Sequence, residues 1–207
     1  MMKRTNLKNL ALGGLFGPLI FVLATLVNAS LRSDYNHASQ FISELGATNT
    51  SNAIFMNLSG FLPFGLLMVG FGVSLFSLLP KGISFRFGSL LVLVFGLGVI
   101  LAGLFSCDAG CPDVGSKENN IHNQVSAVAF FSAIIGTGIF GISFRNHSDW
   151  KPVWVYSILT FIVSAGFLAA MINSIEASTL NGMWQRMLLL TLFVWFGVIG
   201  VRMYRMH

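Results

Sequence analysis

Apolar residues run along this chain in six long blocks, without the strict alternation of half-buried strands. The blocks fall at about 10–31, 53–79, 87–106, 122–144, 152–173 and 182–201, each near the roughly 20 residues a helix needs to cross about 30 Å of hydrocarbon. The first five hold no Asp, Glu, Lys or Arg between their ends. In lipid such a segment must satisfy its own backbone hydrogen bonds. A helix does so; a barrel strand is about half as long and alternates. The pattern predicts an all-α polytopic membrane protein, a single domain over 1–207 built as a bundle of six transmembrane helices. No internal repeat, low-complexity tract or long linker divides it.

Composition sharpens this. Of 207 residues, 55% are apolar and 9% charged, against roughly a quarter charged in soluble domains. A free cytosolic enzyme, a nucleic-acid module and a disordered regulator are excluded. The net charge of +5 and pI near 9.6 invite a nucleic-acid reading until the charges are placed. With the amino terminus in the cytoplasm, Lys3, Arg4, Lys8, Lys81, Arg86, Arg145, Lys151, Arg202 and Arg205 share that side. Only Arg32, Lys117 and Arg186 fall outside, with Asp34, Glu44, Asp108, Asp113, Glu118 and Glu176; Asp149 is the one acid inside. The basic balance therefore reports topology, not nucleic-acid binding. The expectation is a multi-pass protein of the inner (plasma) membrane, both termini cytoplasmic, with membrane lipids as partners. A signal peptide competes for the amino terminus, since basic residues precede an apolar run and Val27-Asn28-Ala29 resembles a cleavage site. The run of about 22 residues is longer than a usual signal core, which favours a retained helix.

Small residues at Gly13-x3-Gly17, Gly98-x3-Ala102 and Ala133-x3-Thr137-x3-Gly141 let another backbone approach closely. They serve bundle packing, and they also leave room for a homo-oligomer or a protein partner that the sequence does not identify. Pro18 and Pro63 lie inside spans and are expected to kink them.

The outer connections, 32–52 and 107–121, are the longest. Over 34–46 helical periodicity sets Tyr35, Ala38, Phe41, Ile42 and Leu45 on one face and Ser33, His37, Gln40 and Glu44 on another, with Gly46 as a left-handed cap. This predicts a short amphipathic outer helix, lying at the interface or folded over the bundle mouth. The plainer alternative is a solvated helix whose His37 and Glu44 do nothing. In the second connection stand the two cysteines, Cys107 and Cys111. Both are on the oxidising side, so a disulfide closing a Gly-containing turn is the natural pairing, and it would fix the direction of Asp108. A redox dithiol is less favoured, because such pairs usually need an activated thiolate in a Cys-x-x-Cys turn. A zinc site lacks four nearby ligands.

His122 opens the fourth block, and Ser126, Ala129, Ala133 and Thr137 follow it at helical spacing. Asn57, Asn173, Glu176, Gln185 and Arg186 lie near the same membrane depth. Such convergence favours a site, because polar groups at membrane depth are costly. His122 with Asp108 or Glu44 would form a base and its orienting carboxylate. Arg186 would clamp a phosphate or carboxylate, with Gln185, Ser43, Asn57, Ser126 and His37 as further ligand-binding candidates. Against this, a lone His at a helix end is usually a satisfied interface residue, and Arg186 can snorkel or pair with Glu176. No His-x3-His or His-Glu-x-x-His spacing supports a metal. His147 and His207 fall on the cytoplasmic side, away from His37 and His122, which argues against a bis-histidine haem. The sequence requires no cofactor and identifies none.

Three motifs carry a resemblance: Tyr35-Asn-His-Ala-Ser-Gln-Phe-Ile-Ser-Glu-Leu-Gly46, the Cys107-Asp-Ala-Gly-Cys-Pro112 loop with His122 beyond it, and Gly182-Met-Trp-Gln-Arg186. In this order they resemble the six-span bacterial and archaeal membrane family known as domain of unknown function 998. The resemblance covers nearly the whole chain. It implies the same topology, with Ser43, Glu44, Asp108, His122, Gln185 and Arg186 in the shared pattern. It implies no activity.

Three classes of function fit. The first is an outward-facing polar pocket that binds or modifies a lipid or small amphiphile, with Asp108 and His122 as acid–base pair, Arg186 as anion clamp and Glu44 as second carboxylate. The second is a small transporter or channel, which needs polar groups through the midplane; the third and fifth blocks offer little beyond glycines, Ser157, Thr160 and Ser164. The third is a structural or accessory subunit. The sequence does not decide whether the protein is an enzyme.

Overall fold

The computed structural model describes residues 3–175 and 179–206, and no strand occurs among them. Six helices among the described residues are long and apolar enough to cross a membrane: α1 Arg4–Ser30, α2 Ala53–Leu78, α3 Ile83–Leu104, α4 Lys117–Arg145, α5 Lys151–Ile175 and α6 Asn181–Met206. All but α2 extend, at one end or both, past the apolar block expected for them. At 29 residues, α4 is about 43 Å long, comparable with the hydrocarbon plus its headgroup layers. Apolar composition marks only the dry zone, whereas the helix starts beyond it at the exposed Lys117 and Glu118.

The helices form a ring. Each packs on its sequence neighbours, and α6 closes on α1. Glycines allow the closest crossings: a Cβ at Gly14 would sit 2.6 Å from the Phe196 carbonyl oxygen, and one at Gly98 2.8 Å from the Ala129 side chain. The proline kinks take two forms. Pro18 lies within α1. Ahead of Pro63 the α2 backbone loosens into a π turn over Asn57–Phe61, which accommodates a ring that can neither donate nor tolerate the preceding carbonyl.

Aromatic rings fill the ring's axis. Phe21 and Phe64 lie 4.8 Å apart, Phe64 and Phe193 5.1 Å, and Phe95 and Phe196 5.3 Å. The column continues through Trp195, Phe140, Phe144 and Trp150 to the end that carries both termini. Mid-span hydroxyls are spent locally: Thr160 and Ser164 donate to carbonyls of α5 itself, and Ser157 also accepts from the Trp195 indole. The opposite end, which we term the disulfide end, holds the long connections and the polar side chains.

One expected element does not form. Over 34–46 the chain makes turns and then a five-residue 3-10 helix, Ile42–Gly46, not one continuous amphipathic helix. The cause lies in side chains that compete for the backbone. Asn36 Oδ1 accepts from the amides of Ala38 and Ser39 at 2.9 and 3.2 Å, and Gln40 Oε1 accepts from the Asn36 amide at 2.6 Å. Nor is Gly46 a left-handed cap, since its φ is not positive. It is small because a side chain there would run into the Asn57 carboxamide.

Candidate functional site

The first connection, 31–52, is fastened to the start of α6. Gln185 Oε1 accepts from the Ile42 amide at 2.7 Å, and the Met183 amide donates to the Ala38 carbonyl at 2.9 Å. Arg186 donates to the carbonyls of Gln40 and Gly182 at 3.0 and 2.8 Å and to the Tyr35 hydroxyl at 2.5 Å. That hydroxyl in turn donates to the Phe41 carbonyl at 3.0 Å. Burial pushes the Tyr35 phenol up, and Arg186 opposes only part of the shift. Gly182 leaves no room for a side chain, because a Cβ would meet the Gln40 and His37 carbonyls. Glu44, 8% exposed, completes the lid from within: Oε1 accepts from the Phe41 amide and Oε2 from Gln40 Nε2, at 2.9 and 2.7 Å. His37 lies outside this web, exposed and edge-on to the Tyr35 ring at 5.3 Å.

The second connection, 105–116, folds on itself. Cys107 and Cys111 are joined by a disulfide across a turn in which Gly110 takes φ +80°, a conformation glycine adopts without steric cost. Asp108 accepts from the Ser116 amide and hydroxyl at 2.7 and 2.8 Å, and these donors hold its carboxyl below the ordinary range. Ser116 caps α4 by accepting from the Asn119 amide. The buried Asn119 accepts from the Asp108 amide and donates to the Pro112 carbonyl at 2.8 Å. Two seams join the connections. The Thr48 amide and hydroxyl donate to the Cys107 carbonyl at 2.8 and 3.1 Å, and Ser43 Oγ lies 3.5 Å from Cys111 Sγ. Asn57 donates to the Gly46 carbonyl at 3.3 Å and to the Ser106 hydroxyl at 2.9 Å.

His122, only 4% exposed, is set one turn inside α4 against the end of α3. Its Nδ1 lies 3.0 Å from the Ala102 carbonyl and 2.9 Å from that of Phe105. Both partners are acceptors, so Nδ1 carries the proton and Nε2 keeps a lone pair. That ring borders a cavity of about 370 Å³ roofed by the 3-10 helix. Its floor is Phe21, Phe64, Phe95 and Leu189; polar groups gather at the disulfide end, from Ser43, His122, Asn123, Ser126 and Gln185. Phe131 and Ile172 also line it. Each is 50% exposed, Phe131 on α4 and Ile172 on α5.

The expected constellation is thus divided. Ser43, Cys111, His122, Ser126 and Gln185 border one cavity. Asp108 and Glu44 do not reach His122, because Ser116, the Phe41 amide and Gln40 take their oxygens. Arg186 faces loop carbonyls and Tyr35, Asn57 ties Gly46 to Ser106, and His37 and Cys107 are not on the wall. Glu176, the alternative partner of Arg186, lies outside the described residues, as does His207. The aromatic floor, Asp113 and Asn123 were not singled out by sequence. Twenty phenylalanines give no signal separating floor from packing, although Asn123 follows His122 directly.

Ring and cavity together define a multi-pass helical membrane protein with a one-ended, largely apolar chamber. Residues 15–202 match the family model described as Protein of unknown function (DUF998), and the chain belongs to that family. The three motifs quoted above are the lid, the disulfide turn and the helix start that holds the lid. No curated protein and no solved structure matches the chain.

Proposed function

We propose that the protein takes an amphiphile from the membrane into this cavity, apolar chain on the aromatic floor and head at the disulfide end. The carrying observation is the combination of an apolar chamber of about 370 Å³, polar groups confined to one end, and half-exposed lining residues on two neighbouring helices, Phe131 and Ile172, which we read as the side entrance. Ligand sites typically run from about 300 to 1,000 Å³, with mostly apolar walls and a few placed polar groups. A through-route is disfavoured by the aromatic column that fills the other half of the ring. In this reading the disulfide end faces outward and both termini lie in the cytoplasm. The skew of Lys and Arg toward the terminal end supports this, as does a disulfide at the opposite end.

Native mass spectrometry of the protein released from bilayers tests the binding step. Wild type is expected to retain one amphiphile, and Ser126→Phe, which fills the chamber, to lose it. Wild type without an adduct, or equal retention by the variant, contradicts the reading. A reporter fused after Arg205 tests orientation and is expected to be active only in the cytoplasm.

A further inference from the structure

Resting on that reading, we infer that the cavity selects an uncharged, hydroxyl-bearing head on a single alkyl chain, a monoacylglycerol being the simplest member, and rejects phosphate and carboxylate heads. The argument begins with what each wall group has left to offer. His122 spends its donor nitrogen on the Ala102 and Phe105 carbonyls, so it presents a lone pair at Nε2. Gln185 spends its carbonyl oxygen on the Ile42 amide, which leaves its amide nitrogen as a donor. Ser126 contributes a hydroxyl. A ligand that satisfies this set must both donate and accept. A hydroxyl does both; an ionised carboxylate or phosphate has no proton for Nε2 and would set lone pair against lone pair.

Charge points the same way. Among the described residues that line the cavity there is no Lys or Arg, and the sequence places none at 176–180. The two guanidiniums at the lid are both committed, Arg186 to Gln40, Gly182 and Tyr35 and Arg32 to Asp34 and the Glu44 carbonyl. An anion moved from water into this apolar chamber would stay unpaired and lose its hydration uncompensated. A buried ammonium fares little better, because among the described residues the one carboxylate on the wall is Asp113, which is exposed. Size sets the chain count: about 370 Å³ is near the bottom of the range for ligand sites, enough for one alkyl chain and too little for a two-chain lipid.

The test compares four ligands that share a dodecyl-length chain and differ in the head: monolauroylglycerol, lauric acid, dodecyl phosphate and dodecylamine. Each is titrated at neutral pH into the protein in nanodiscs, with bound ligand read by native mass spectrometry. Monolauroylglycerol is expected to bind at least tenfold more tightly than the other three. His122→Asn keeps an amide donor for the α3 carbonyls and deletes Nε2. It should weaken monolauroylglycerol roughly threefold to tenfold, the worth of one hydrogen bond, and narrow its advantage over lauric acid. Ser126→Ala, which leaves the α3 cap untouched, should weaken it in the same direction. Tighter binding of an anion or of the amine overturns the head assignment and leaves the cavity reading standing. Binding of none of the four overturns both.

Discussion

The two connections at the disulfide end are of similar character in sequence, yet they are fastened to the helices in different ways. Segment 105–116 is stapled to itself and to the start of α4 through Asp108, Ser116, Asn119 and the disulfide, all within about a dozen residues. Segment 31–52 also bonds within itself through Asn36, Gln40 and Glu44, but it is fastened to the helices by groups more than a hundred residues away, Gln185 and Arg186. The difference teaches what the polar residues near this membrane surface do. Those that look most chemical, Glu44, Asp108 and Arg186, are consumed in fixing backbone. Groups with capacity to spare, His122, Ser126 and the Gln185 amide, face the cavity.

If that contrast is right, the strongest way to break it is Arg186→Gln. It removes charge-assisted bonds to the Gln40 carbonyl and the Tyr35 hydroxyl and should cost about 3 kcal/mol. Amide exchange should rise sharply over 35–46 and stay slow over 105–120; a rise in both would show the two connections to be one unit. Gln185→Leu leaves the buried Ile42 amide unsatisfied and should cost about 2 kcal/mol, again confined to the first connection. Replacing Cys107 and Cys111 by Ser opens only a very short covalent loop. The loss should not exceed about 2 kcal/mol, because Asp108, Asn119 and Thr48 still hold the turn; collapse of the fold would refute the self-contained description. Ser116→Ala removes the α4 cap, worth about 1 kcal/mol, and with it one donor to Asp108.

Acid offers the gentlest probe. The Asp108 carboxyl sits below its ordinary value because Ser116 donates to the charged form. Its contribution is therefore present above the unfolded value, near 3.9, and is lost as pH falls through the lower folded value. Amide exchange of Ser116 and Asn119 should rise in that window, and Ser116→Ala should flatten the dependence.

Much of the architecture was legible in the sequence because hydrocarbon imposes one rule on every span. Six apolar blocks became six helices, and the paired cysteines sat where a tight turn needs them. The first connection misled for a local reason: residues 34–46 repeat at helical spacing, but Asn36 and Gln40 bind backbone amides that a helix would need. Site residues were harder for a different reason. That Arg186 serves the lid, while its neighbour Gln185 borders the cavity, depends on the register between α6 and a loop about 145 positions away. No one-dimensional pattern carries that register. Nor does any pattern separate Phe21, Phe64 and Phe95, which floor the chamber, from the phenylalanines that fill the column beside it.

Photo-crosslinking addresses the chamber most directly. A monoacylglycerol bearing a diazirine near the end of its chain is equilibrated with the protein in nanodiscs, irradiated, and the adducts mapped by peptide sequencing. The account predicts adducts concentrated at the floor and on the walls below the head, on Phe64, Phe95, Phe130, Leu168 and Leu189, suppressed by Ser126→Phe. Adducts spread evenly over the outer faces, such as Leu19, Leu23 and Leu58, and unchanged in that variant, would contradict it.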